Sequence, residues 1–456
     1  MTANKAELAP ELEAEGLDEA SLVEPGRTSA FAALAYRDFR LFWFGLVVSN
    51  VGTWMQLYGM GWLVVQLAIR DGVPQLAPFY LGLVGLSRSI PGLAFGLVAG
   101  VVADRADRRR LLMVTQASAA TVAGTFAVLV LIDRINIVEV MLLVAMSSVI
   151  FSFDAPTRQA MVPRLVSDRE LMSAIGLNSA AFNGATLIGP LVGGLVLVPV
   201  NLATGSTTIG VGALMALNCV TYLVIIGALI LMKPQPVEDF GRPRQKMTES
   251  MQEGIRYVRR DPVLRWVIIL AIATALLARP YIQLLPAVAQ ALHVGAVELS
   301  YLLAAAGVGA LGGALSSASL GHVRRRGFVL IGASFAMGIL LMVFALQRTL
   351  IGTIVTVALT SFAAMLFLTI ANTLMQSRAP DHLRGRVMSV QTMVFMGLMP
   401  LGQLLLGSIG TVTEIGTAFL AGGVIVTAVT VYVGLTQPAL RDAVTTIRPR
   451  AVARSG

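Results

Sequence analysis

Apolar residues along this chain gather into twelve stretches of about 19 to 27 residues, parted by short polar intervals. They lie near 41 to 67, 79 to 102, 111 to 132, 138 to 160, 173 to 198, 210 to 232, 264 to 289, 299 to 320, 328 to 346, 351 to 374, 388 to 410 and 417 to 437. At 1.5 Å per residue each is long enough, as a helix, to cross a hydrocarbon core of about 30 Å. The alternation that marks a barrel strand is absent, and backbone polar groups in lipid must be satisfied within their own segment. The pattern predicts an all-α integral membrane fold with twelve transmembrane helices. Residues 37–232 hold six, a polar loop spans 233–263, 264–437 hold six more, and 438–456 form a C-terminal tail.

Composition agrees: 56% of residues are hydrophobic and 13% charged, against about 25% charged in soluble domains. The net charge of +9 belongs to topology rather than to a nucleic-acid surface. Of 34 Lys and Arg, Arg70, Arg134 and Arg348 occupy one set of loops, Arg88 and Arg279 lie deep inside spans, and the other 29 fall in the tails, the central loop and the opposite loops with the span ends that adjoin them. The positive-inside rule then puts both termini and the central loop in the cytoplasm of a cell whose plasma or inner membrane holds the chain. Anionic lipid headgroups are the expected partner of this basic side.

Residues 1–36 carry Glu7, Glu11, Glu13, Glu15, Asp18, Glu19 and Glu24 and read as a disordered acidic cytoplasmic tail, not a signal peptide. Cys219, alone of its kind, lies within the sixth stretch and has no internal disulfide partner. No phosphate-binding Gly-Lys loop, metal-spaced His or Cys set, or Ser-His-Asp constellation occurs. Neither an enzyme nor a cofactor or metal is expected, and the chain is expected to work as a monomer.

The two halves echo one another. Met161-Val-Pro-Arg164 with Leu171-Met172-Ser173 follows the fourth stretch, and Met375-Gln-Ser-Arg378 with Val387-Met388-Ser389 follows the tenth. Such repeats accompany a substrate cavity between two bundles in many secondary transporters. Three motifs carry a family resemblance. The first is Gly100-Val-Val-Ala-Asp104-Arg105-Ala-Asp107-Arg108-Arg109-Arg110. The second, in the fifth stretch, is Gly176, Gly184, then Gly189, Pro190, Gly193 and Gly194. The third runs from Phe153 and Asp154 through Pro156 and Arg158 to Arg164, followed by Asn178, Phe182 and Asn183. Together they resemble the major facilitator superfamily, in its enterobactin-exporter-like and macrolide-efflux-like branch, the transmembrane secretion effectors. Asp107 and Ala185 stand where that family usually has Gly, and the second-half loop at Gly321, His322 and Arg324 lacks the carboxylate.

The resemblance implies two six-helix bundles around a central cavity. It also implies export of a siderophore-like or drug-like small molecule by alternating access, with proton antiport as the favoured coupling. It assigns Gly100, Asp104, Arg105, Arg108, Asp154 and Arg158 to a charge relay that latches one conformation; ordinary interfacial ion pairing is the alternative. Gly176, Gly184, Gly189, Pro190, Gly193 and Gly194 serve helix packing and a kink. An importer, a lysolipid flippase, or a membrane interaction protein working through its acidic tail are competing readings.

A charge at mid-bilayer costs about 2.5 to 3.5 kcal/mol, so Arg279 and Arg88 are candidate contacts for an anionic substrate group; capping a carbonyl is the alternative. Asn50, Trp54, Gln56, Asn178, Asn183, Asn372, Gln376, Gln391 and Gln403 either line the path or hydrogen-bond between helices. No Asp or Glu lies centrally in a span, so the sequence names no proton carrier. Gly241→Cys, made without Cys219, is expected to stay shielded from an impermeant thiol reagent outside intact cells; labelling in sealed cells would reverse the orientation.

Overall fold

A computed structural model describes residues 29–233, 247–319, 325–380 and 382–443. The acidic tail up to residue 28, Gly241 and its surroundings, the loop at Gly321 and the last 13 residues lie outside them, as do the side chains of Asp104 and Arg105. The fold is all-helical. The long helices are α1 (Arg37–Arg70), α2 (Ala77–Arg105), α3 (Arg108–Leu131), α4 (Ile137–Met161), α5 (Leu171–Thr204) and α6 (Thr207–Leu231). After them come α7 (Met247–Arg260), α8 (Pro262–Leu277), α9 (Leu285–Ala291), α10 (Ala296–Ser319), α11 (Arg326–Ala345), α12 (Leu350–Arg378), α13 (Arg384–Val412) and α14 (Ile415–Thr436).

Among the described residues ten helices are long and apolar enough to cross a membrane. Of the twelve expected, α1 and α2 are not among the ten. In α1 the aliphatic residues are diluted by Asn50, Gln56, Gln66 and the glycines 45, 52, 59 and 61. The seventh stretch is not one helix either: α8 stops at Leu277, a 3-10 turn covers Arg279–Ile282, and α9 resumes at Leu285. Pro280 and Pro286 supply no backbone donors to carry α8 onward.

Helix starts follow local chemistry. Asp107, where a Gly was expected, accepts from the backbone N–H groups of Arg109 at 3.0 Å and Arg110 at 3.2 Å and so caps α3. Asn136 and Glu139 form a reciprocal capping box on α4, and Asp261 caps α8. Gly205, at φ 66°, ends α5 in the left-handed conformation.

The internal repeat reappears as packing. Helix α1 packs on α5 and α6, α2 on α4, and α3 on α4 and α6; in the same order α8 packs on α13 and α14, α10 on α12, and α11 on α12 and α14. Between the two sets, α2 meets α13 and α5 meets α10.

These crossing contacts sit at one end of the molecule, here called the far end, opposite the basic end where α1 starts and α2 finishes. A Cβ on Gly82 would lie 2.7 Å from Leu404 Cα, and one on Gly194 would lie 2.6 Å from Ser300 Oγ. Tyr58 donates to the Ala296 carbonyl at 2.5 Å, Gln403 Nε2 to Leu81 O at 2.8 Å and Gln290 Nε2 to Pro74 O at 3.1 Å.

The buried apolar residues divide accordingly. One joint cluster at the far end includes Tyr58, Leu63, Val84, Leu197, Tyr281, Leu302 and Leu406, drawn from both sets. Toward the basic end it splits into two. Phe39, Phe42, Leu112, Leu177 and Ile225 belong to the first set alone, and Leu264, Phe367, Leu374 and Val387 to the second alone. The result is a cleft, closed at the far end and open between the two separate cores.

Gly82→Leu should force α2 away from α13, at about 1–3 kcal/mol for overpacking. Spin labels at Gly72 and Gly295 should then report a longer-distance population by pulsed electron resonance, with a lowered melting midpoint. An unchanged distance distribution would mean this contact does not hold the far end shut.

Candidate functional site at the closed end of the cleft

Helices α1 and α2 reach the edge of the joint core near Trp54 and Arg88, and the turn after α8 carries Arg279 within it. Val84 is the last residue of α2 in that core, and Arg88 follows one turn on; Met55 is the first of α1, and Trp54 precedes it; Ala278 and Tyr281 bracket Arg279. Arg88, Trp54 and Arg279 therefore mark the closed end of the cleft.

Arg88 is exposed, and the Tyr222 phenol is within electrostatic reach of it. The backbone carbonyl of Arg88 accepts from Ser148, which ties α2 to α4 without using the guanidinium. Arg279 is half-buried, its Cζ 5.4 Å from the centre of the Phe395 ring on α13. Its Nη1 is buried with no hydrogen-bond partner. No carboxylate among the described residues pairs with either Arg. A desolvated guanidinium nitrogen without an acceptor costs about 1–3 kcal/mol or more, and an aromatic face recovers only part of that. Trp54 packs edge-on against Phe182 of α5, with centroids 6.1 Å apart, placing a second aromatic pair at this level.

Nearer the basic end lies a buried polar network. Asp154 is 3% exposed. Its Oδ1 accepts from Thr115 Oγ1 at 3.1 Å and Gln116 Nε2 at 2.6 Å, both on α3. Its Oδ2 lies 2.5 Å from Arg158 Nε one turn along α4, as an ion pair rather than an aligned hydrogen bond. Arg158 Nη1 reaches across to Asn50 Oδ1 of α1 at 3.0 Å. Asn50 thus belongs to this network. Gln56 belongs to another, accepting from Asn218 of α6, which also accepts from Thr221.

Arg108 donates to the Ala160 carbonyl at 2.8 Å, tying α3 to the end of α4. Arg109 donates to Leu229 O at 2.6 Å and Ile230 O at 3.0 Å, capping α6, a role the sequence gave no reason to expect. Gln403 is a clamp between α13 and α2 rather than a path residue, and Gln391 is 2% exposed with both amide atoms unpartnered. Asn178 and Asn372 are half-buried, Gln376 is exposed, and Asn183 bonds back to Ser179 O.

The packing motif divides. Gly189 and Gly193 lie against Trp54 and Tyr58 of α1, Gly194 against Ser300 of α10, and Pro190 is buried. Gly176 and Gly184 meet nothing within 4 Å, nor does Gly100 on α2. The close packing expected of Gly176 and Gly184 is thus not made in this conformation.

The chain matches the family model described as transmembrane secretion effector over residues 28–447. It belongs to that family, within the major facilitator superfamily. The multidrug efflux pump Tap of Mycobacterium tuberculosis is 29% identical over 405 residues, 88% of this chain and 93% of that protein. The enterobactin exporter EntS of Shigella boydii is 26% identical over 344 residues, 75% and 80% of the two chains. A solved D-xylose-proton symporter superposes with a TM-score of 0.64 over 88% of this chain and 99% of its own, at 14% identity, which is a likeness of fold. As a member of this family the chain is a multi-pass inner-membrane secondary transporter of small molecules and not an enzyme.

Asp154→Ala should strand the Arg158 charge and cost about 3–5 kcal/mol. Asp154→Leu combined with Arg158→Met should recover most of it in a denaturant titration. Equal losses in the single and double variants would show that the pair is not the source.

Proposed function

We propose that this protein exports organic anions with aromatic character, by alternating access of two six-helix bundles, residues 37–232 and 264–437, coupled to the proton gradient. The basic end is cytoplasmic, and the cleft described here is the inward-open state. One observation carries the substrate class. Two guanidiniums within the spans, Arg88 exposed and Arg279 half-buried, have no carboxylate partner among the described residues, and aromatic rings accompany them at the closed end. A cation left uncompensated in a low-dielectric site favours an anionic guest. A planar fork engages a carboxylate or catecholate through two parallel hydrogen bonds, and the adjacent rings add stacking area.

The transport cycle asks the open ends of α2 and α13, and of α5 and α10, to close while the far end parts. Gly100, Gly176 and Gly184 supply the space for that approach, and Asp104, Arg105 and Arg108 would join Asp154 and Arg158 to latch it. Relatives named as a multidrug pump and an enterobactin exporter support the outward direction.

Efflux from cells lacking their own pumps tests the reading. Export of an anionic aromatic probe should collapse with an uncoupler. Arg279→Ala should lower it roughly tenfold, the worth of a charge-assisted hydrogen bond, and Arg279→Lys should restore only part because the fork geometry is lost. Lipophilic cations should be unaffected. Equal loss for probes of every charge would make Arg279 a structural residue and remove the anion assignment.

A further inference from the structure

A groove lined by none of the residues placed at the cleft runs between α1 and α6 from the basic end inward. Leu41, Phe44 and Val48 form one wall; Val224, Gly227 and Leu231 form the other. Its floor is a close helix contact, since a Cβ on Gly45 would meet Ile225 Cα at 3.2 Å. Beside Gly227 the space is open. Phe44 is 53% exposed and Leu231 60%. From Arg40 to Val48 the groove runs eight residue steps along the helix, about 12 Å, close to the depth of one leaflet of a hydrocarbon core about 30 Å thick.

The mouth carries the chemistry that chooses an occupant. Arg40 lies there, exposed, with Nη1 donating to the Leu34 carbonyl at 3.2 Å. The rest of its five-donor fork has no acceptor among the described residues. Arg37, 58% exposed, is one turn earlier on the same face. Lys233 follows α6, its backbone N–H donating to Asp38 at 3.4 Å. Among the described residues three cations thus lie by one carboxylate, Asp38, which is 3.6 Å from the Arg37 guanidinium. At the far end the corresponding cation, Arg70, is matched by Asp71 at 3.3 Å and Asp133 at 3.4 Å.

We infer that this groove is a binding site for an anionic phospholipid of the basic-side leaflet, with an acyl chain between α1 and α6 and the phosphate on Arg40. A zwitterionic lipid satisfies the apolar walls but brings its own cation to a mouth that already holds an excess. A helical protein partner would need wider access than a crease whose floor is closed at Gly45. The site is independent of the substrate assignment, because it uses no residue of the cleft.

Native mass spectrometry of the full chain, extracted from bilayers holding equal phosphatidylglycerol and phosphatidylcholine, tests it. The wild type should retain phosphatidylglycerol preferentially. Arg40→Ala should cut that retention about fivefold, the worth of one cation at an anionic surface, and Arg40→Lys should keep much of it. Gly227→Leu, filling open space, should lower retention of both lipids, while Arg70→Ala at the far end should change nothing. Equal retention of the two lipids by the wild type, or phosphatidylglycerol binding unaltered in both Arg40→Ala and Gly227→Leu, would overturn the assignment.

Discussion

The structure hangs on backbone-close contact between α2 and α13 and between α5 and α10 at the far end. Lipid tails are as apolar as leucine, so no hydrophobic drive pulls these helices together, and their association rests on van der Waals contact and interhelical hydrogen bonds. Both depend on small residues at the crossing points. Gly82 against Leu404, Gly194 against Ser300 and Gly307 against Leu187, whose Cα a Cβ would approach to 3.1 Å, bring the helices near enough for Tyr58 and Gln403 to reach carbonyls across the boundary. The cleft, its closed end and the level of Arg88 and Arg279 follow from where that contact stops.

Polar groups inside the molecule fall into two kinds. Asp154, Thr115, Gln116, Arg158 and Asn50 bond or pair with one another and tie α1, α3 and α4 together. Arg88 and Arg279 do not have such partners. The first kind fixes shape, whereas the second keeps unspent interaction capacity, on which the proposed anion assignment rests.

Much of the fold was legible in the sequence because hydropathy and charge act locally: the spans, the basic loops and the i,i+4 spacing of Asp154 and Arg158 need no tertiary knowledge. The break in the seventh stretch was half legible. Pro280 cannot continue a helix, yet that the turn would cover Arg279–Ile282 and the next helix start only at Leu285 could not be read from it. Partners distant in sequence were not legible. Nothing in Gln403 tells of Leu81, nor in Asn218 of Gln56, and Arg109 looked like one more basic loop residue before it capped α6. Gly176 and Gly184 show a different limit, since a packing motif describes a set of conformations and a structure holds one.

The division of the interior into one joint core and two private ones also bears on biogenesis. Phe39, Phe42, Leu112, Leu177 and Ile225 are all in place once α6 has been made, so the first half can consolidate beside the ribosome without waiting for its partner. The second half has a private nucleus of its own around Leu264, Phe367 and Val387, bracketed by α7 through Tyr257, which donates to the Arg378 carbonyl at 3.1 Å, and Asp261, 3.3 Å from the Arg378 guanidinium. The joint core draws on residues of both sets and so cannot be completed until both have been made. The boundary between the two sets is thus also the last part of the interior that synthesis makes available.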